Sequence, residues 1–198
     1  MKKIAVFASG SGSNMQKIAE YFRDHFPEQL EIGSLITDQK DAYVQVRAKA
    51  FGVPTHYLTA EDLRTPEVLL PLLKRYHVEA IVLAGYLRLV PPFLLQAYPE
   101  RIVNIHPALL PKYGGKGMYG MHVHKAVKVA GESESGITIH IIDEDYDRGT
   151  TLFQAKVALE PDDTPETIAQ KVQKLEHAYF APVVAKWLLA LPTFVSPK

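Results

Sequence analysis

Cysteine is absent from the 198 residues. That excludes disulfides, thiolate nucleophiles and thiolate metal sites together, and it fits a reducing compartment. Net charge is absent as well, because Lys and Arg total 22 and Asp and Glu also total 22. No overall field draws the chain to nucleic acid or to an anionic membrane, so any anionic ligand must be caught locally. No apolar run approaches the length that crosses a bilayer. The opening "MKKIAVFASGSGSN" imitates a signal peptide, but its apolar run is short and glycine breaks it, which reads as a first β-strand. These absences point to a cytoplasmic protein without nucleic-acid or membrane partners. The chain also lacks a GxSxG elbow and a Tyr-x-x-x-Lys pair, which trims two common enzyme classes.

A hydrophobic fraction of 47% suits a globular protein, and the length suits one domain spanning residues 1–198. Apolar runs of strand type at Lys3–Ser9, Leu30–Thr37, Pro54–Leu58, Glu79–Gly85 and Arg101–His106 alternate with stretches of helical spacing at Met15–Phe26, Ala42–Gly52 and Glu61–His77. This alternation predicts an α/β fold, a doubly wound and mostly parallel sheet with a Rossmann-like N-terminal half. Ser135–Asp143 and Thr151–Leu159 alternate around a polar turn and predict an antiparallel C-terminal extension. A last helix begins with Thr164 as cap and Pro165 in its first turn, and Pro182 is expected to kink it. There is no internal repeat and no linker.

Three constellations could carry chemistry. The first is "SGSGSN", Ser9 to Asn14, between the first strand and the first helix. Glycines allow a tight turn and the helix start supplies unpaired N–H groups, so the junction suits a phosphate. Met15 stands where a dinucleotide fingerprint wants its third glycine and there is no Walker lysine, which favours a lone phosphate. Asp38, near the end of the second strand, keeps a dinucleotide reading open. The second is Asn104 and His106, which alternation puts on one side of the fifth strand before Pro107 forces an extended exit. An Asn can donate to a developing oxyanion, and a His can move a proton near neutral pH. The plain alternative is a histidine hydrogen-bonded into the strand terminus. The third is "DEDYDRGT", Asp143 to Thr150, where Asp143 or Asp147 could orient that histidine and favour its protonated form. "HVH", His122 to His124, is a weak metal signal and fits a helix entry or loop better.

Taken together, "FASGSGSN", "IVLAGYLRLV", "NIHPALLPKY", "GITIHIID" with "DYDRG", "LFQAKV" and "KLEHAYFAP" resemble the folate-dependent formyltransferase superfamily over nearly the whole chain. The resemblance implies transfer of the formyl group of 10-formyltetrahydrofolate, as co-substrate, to the amine of glycinamide ribonucleotide in purine biosynthesis, with no metal required. It implies a catalytic trio of Asn104, His106 and Asp147. Asn104 and protonated His106 would stabilise the oxyanion, while Asp147 would hold His106 cationic and order a proton-relaying water. Gly12, Ser13 and Asn14 would bind the acceptor's phosphate, with Gln173 nearby, and Glu176 its ribose hydroxyls. The folate would lie against Leu83, Leu87, Arg88, Leu89 and Val90 and the loop holding Ile142, Asp143 and Asp147. The resemblance leaves monomer or homodimer open.

The sequence departs from the superfamily pattern at a longer loop, Gly114 to His124, and at Arg148, where glycine is usual. A formyltetrahydrofolate hydrolase or a transferase to another acceptor, such as a sugar nucleotide, would share the trio. The hydrolase and the tRNA-directed members normally carry a further regulatory or tRNA-binding domain, which one domain over 1–198 leaves no room for. A nucleotide-binding oxidoreductase or a non-catalytic binding domain could use the same scaffold.

Overall fold

Strand periodicity and its interruptions set the order of elements in the computed structural model, which describes residues 1–143, 147 and 149–194. The strands are β1 (Lys2–Phe7), β2 (Leu30–Thr37), β3 (Thr55–Tyr57), β4 (Val78–Leu83), β5 (Ile102–His106), β6 (Glu134–Ile141) and β7 (Thr151–Ala158). The helices are α1 (Ser13–His25), α2 (Val44–Ala50), α3 (Pro66–Arg75), α4 (Pro92–Ala97), α5 (Met121–Val129) and α6 (Pro165–Ala190). One sheet runs in the order β3-β2-β1-β4-β5-β6-β7. Pairing is parallel from β3 to β5 and antiparallel for β5 with β6 and β6 with β7.

The pleat sends alternate residues of each central strand to opposite faces, and both faces are covered. Ile4, Val6 and Ala8 pack with Met15, Ile18 and Phe22 of α1, Val44 of α2, Val123 and Val127 of α5, and Ile168, Val172 and Phe180 of α6. Ala5 and Phe7 pack on the other face with Leu69 and Leu73 of α3 and Leu94 of α4. No helix among the described residues is long and apolar enough to cross a membrane.

The structure departs from the sequence reading in two places. The stretch Glu61 to His77 is not one helix: a 3-10 turn, Asp62–Arg64, is separated from α3 by Thr65 in extended geometry (φ −102°, ψ 106°). Pro66 is the cause, because its ring disfavours helical geometry in the residue before it. The short helix α4, which begins at Pro92 directly after Pro91, was not anticipated, whereas α5, which begins beside Gly120, makes His122 to His124 the helix entry that the sequence allowed. In α6, Thr164 caps as expected, accepting from Thr167 N–H, and the helix continues past Pro182 to Ala190.

Because β1 lies between β2 and β4, the loops that leave β1 and β4 diverge and open a crevice at the carboxyl edge of the sheet. The "SGSGSN" turn leaves β1 there, residues 84–91 leave β4 there, and β5 delivers Asn104 and His106 to the same edge.

Candidate active site

His106 ends β5 and is 4% exposed. Its Nε2 lies 2.8 Å from the Tyr113 carbonyl oxygen. A carbonyl only accepts, so Nε2 carries a hydrogen and Nδ1 is the nitrogen free to take or give a proton. Nδ1 faces Asp147 Oδ1 at 3.7 Å, close enough to interact as charges and too far for a direct hydrogen bond. Asp147 Oδ2 accepts from the Gly115 N–H at 2.9 Å.

The antiparallel register sets Asn104 opposite His140 of β6. Asn104 Nδ2 is 3.2 Å from His140 Nε2. An amide nitrogen only donates, so one of its hydrogens points at the histidine and the second is left for a ligand. His140 Nε2 is also 3.6 Å from Asp147 Oδ1. One carboxylate oxygen thus stands between two buried rings, and Asn104, His106 and Asp147, singled out in the sequence, come together around it.

His140 was missed. It is fully buried and lies inside "GITIHIID", where its place in a strand hides it among core positions. The signal that could have found it is register: pairing β6 against β5 puts it beside Asn104.

Burial decides the charge state of these rings. It pushes His106 below the ordinary histidine range, with Asp147 and the Tyr113 carbonyl pulling the other way. His140 moves down for the same reason, opposed by Asp147. His124, at the start of α5, is lowered by burial and by His106. The sequence reading had Asp147 holding His106 cationic; in the structure its pull is present but smaller than the cost of burying the charge. His106 is therefore neutral at pH 7 before a ligand binds.

A stability prediction follows. Five histidines, these three together with His56 and His177, have folded pKa values below their unfolded value of about 6.5, so the unfolded chain binds more protons as pH falls. Stability is full above that value and is lost as pH drops through and below it. The urea midpoint is expected to fall between pH 7 and pH 5. A flat midpoint over that range would mean these rings charge without penalty.

At the other end of the crevice, Gly12 adopts φ 75° immediately before α1, and a Cβ there would lie 2.3 Å from Val44 Cγ2. Only glycine supplies both that conformation and that clearance. α1 starts with no side-chain cap and no acid in its first turn, so the N–H groups at Ser13 and Asn14 have no intrahelical partner at this end of the sheet edge. Asn14 Nδ2 donates to Glu176 Oε2 at 2.8 Å, which ties α1 to α6 at this point. Burial raises the Glu176 carboxyl, offset by Asn14. Gln173, one turn earlier on α6, is exposed.

Between these ends lies the segment after β4. Leu87 and Leu89 are 55% and 57% exposed and offer an apolar wall, whereas Leu83 and Val90 are in the core and can offer a ligand only backbone. Arg88 Nε donates to Asp38 Oδ2 at 2.6 Å, and Gln39 Nε2 donates to the same oxygen at 2.9 Å. Asp38 Oδ2 is thus engaged, while its buried Oδ1 has no hydrogen-bond partner among the described residues. Ile142 N–H donates to the Ile102 carbonyl at 3.0 Å, and Asp143 is exposed. Arg148 and residues 144–146 of the same loop lie outside the described residues. His122 and His124 sit in the first turn of α5. Among the described residues no group of three or more His, Asp or Glu could hold a metal ion.

Across the sheet edge, β1 and β5 are two strands apart, about 10 Å at normal spacing. That is the span of a ribose phosphate with a short substituent. Comparison with known proteins places the chain in a family. The formyl transferase family profile matches residues 2–184. A phosphoribosylglycinamide formyltransferase of Bacillus subtilis is 39% identical over 195 residues, covering 96% of each chain. A chloroplastic enzyme of the same name from Arabidopsis thaliana is 44% identical over 188 residues, 92% of this chain and 64% of the relative. A solved phosphoribosylglycinamide formyltransferase from Bacillus halodurans superposes with TM-score 0.85 at 37% identity, covering 96% of both chains.

Proposed function

Because this chain belongs to the formyl transferase family, we propose that it transfers the formyl group of 10-formyltetrahydrofolate to the amine of glycinamide ribonucleotide, a step of de novo purine biosynthesis. The observation that carries the reading is the arrangement along one sheet edge: uncapped helix N–H groups at one end, an oxyanion donor and a buried base at the other, about 10 Å apart.

The donor supplies a carbonyl that becomes tetrahedral and anionic on attack; the residues manage its charge and the protons. The free hydrogen of Asn104 Nδ2 points where an oxyanion can be received. His106 Nδ1, bare in the neutral ring, takes the proton that the attacking amine must lose. The ring is then cationic beside the oxyanion, and Asp147 at 3.7 Å offsets a charge that burial otherwise disfavours. A water held by the Asp147 carboxylate at the side of this pair completes a path for the proton to the departing folate nitrogen. Protonated His106 is thus a product of the first proton transfer and not the resting state.

Gly12, Ser13 and Asn14 receive the phosphate, with Gln173 at the rim, and Glu176 takes the ribose hydroxyls while Asn14 steadies it. Leu87 and Leu89 face the folate rings, with Leu83, Arg88, Val90, Ile142 and Asp143 contributing through backbone and loop shape. No metal enters this scheme, and monomer and homodimer are equally compatible with it. Glu176→Ala is expected to raise KM for the ribonucleotide about 10- to 100-fold, as loss of hydrogen bonds to a charged group does, and to leave KM for the folate unchanged. Initial-rate kinetics in both substrates check this; a rise in the folate KM alone would reassign the residue.

A further inference from the structure

We propose that Glu132 is a positioning residue for the catalytic pair, acting through the backbone of residues 113–115 on both His106 and Asp147. The inference deepens the reading above and rests on it for its kinetic part alone.

The segment "YGG" touches both partners. The Tyr113 carbonyl accepts from His106 Nε2 at 2.8 Å, and the Gly115 N–H donates to Asp147 Oδ2 at 2.9 Å. Between them Gly114 packs so tightly that a Cβ there would sit 2.5 Å from Leu110 Cδ2 and 3.1 Å from Asp147 Cβ. Any displacement of this segment moves the ring and the carboxylate together. Yet its backbone does not hold itself in place: Tyr113 has φ 58°, in the left-handed region that a bulky side chain disfavours.

What holds it is outside the site. The Tyr113 hydroxyl donates to Glu132 Oε1 at 2.8 Å, and Lys112 Nζ donates to the same oxygen at 2.9 Å. Glu132 follows α5, whose Val123 and Val127 are buried in the main core, and its own N–H reaches back to the Val127 carbonyl. It is a firm post. At the other end Leu110 is pinned to the sheet, its N–H donating to Thr138 Oγ1 at 2.9 Å and its carbonyl accepting from Gln154 Nε2 at 2.9 Å. The chain from 110 to 115 is thereby stretched between β6 and α5 and presents one acceptor to His106 and one donor to Asp147.

Removing the Glu132 oxygen frees Tyr113 to leave its left-handed conformation, turning its carbonyl away from Nε2. The neutral ring then loses the bond that fixes its tautomer, and Nδ1 is no longer reliably the bare nitrogen. Among the described residues, the titratable groups that face His106 besides Tyr113 are Asp147, His140 and His124, and none of them lies on the 110–115 segment.

The test uses full-length Glu132→Ala, Tyr113→Phe and Glu132→Gln. Nitrogen-15 shifts of the His106 ring, assigned against His106→Gln, are read without substrates above the ring's titration. Wild type is expected to show Nε2 protonated, and Glu132→Ala and Tyr113→Phe a mixture of tautomers. In Glu132→Gln the amide oxygen still accepts from Tyr113, so the wild-type pattern should return. In turnover the first two variants are expected to lose about tenfold or more in kcat, with KM for both substrates within twofold, and Glu132→Gln to stay near wild type. Wild-type ring shifts with kcat within twofold in both folded variants would overturn the proposal, as would a loss confined to KM. A locked wild-type tautomer without turnover would remove the proposed reaction and leave the positioning role standing.

Discussion

His106→Ala is expected to lower kcat by about 10² to 10⁴, the usual contribution of a positioned acid and base, while both substrates still bind. The expectation rests on the tautomer. With Nε2 committed to Tyr113, the bare Nδ1 is the atom facing Asp147, and the alanine removes it without touching the phosphate loop or the apolar wall. The pH dependence gives a sharper form. Neutral His106 is the active form, so kcat/KM falls as pH drops through its pKa, which burial places below the ordinary histidine range. Asp147 raises that pKa; Asp147→Asn therefore moves the acidic limb to still lower pH. The acceptor amine ionises alike in both proteins, so the shift between them reports the ring. An unmoved limb would detach Asp147 from His106.

The second large effect belongs to Asn104. Asn104→Ala is expected to cost about 10² to 10³ in kcat with KM values near wild type, because an oxyanion donor acts on charge that appears only in the transition state. The alanine also leaves His140 Nε2 without its donor. Asn104→Asp also removes both donors and adds a negative charge beside the oxyanion and Asp147, so its loss in kcat is expected to exceed that of the alanine. An aspartate as active as the wild type would mean that Asn104 donates nothing to the oxyanion. A loss carried by KM would mean that Asn104 binds the ground state.

How much of this the sequence contained differs by element. Leu30–Thr37 was read with its ends in place because it is a buried run bounded by turn residues. Thr164 and Pro165 marked the start of α6 because capping chemistry is local. The glycine turn was legible because a left-handed residue against Val44 leaves no other choice at Gly12. The helix α4 escaped because it is six residues long behind a pair of prolines, and α5 was left between helix entry and loop because it follows a glycine-rich stretch with no start signal of its own. The site divides along the same line. Asn104 and His106 share a strand face, which alternation reveals, whereas His140 joins them through pairing across 36 residues. The resting charge of His106 was not legible either. It depends on how little water reaches a ring enclosed by β5, β6 and the Tyr113 turn, and sequence spacing carries no measure of that.

The most direct test is an absorbance assay of the deformylated folate released from 10-formyltetrahydrofolate, run with and without glycinamide ribonucleotide, on wild type and on His106→Ala. The account predicts release that requires the ribonucleotide and collapses in the variant. Release that is indifferent to the ribonucleotide, or that survives loss of His106, would contradict it.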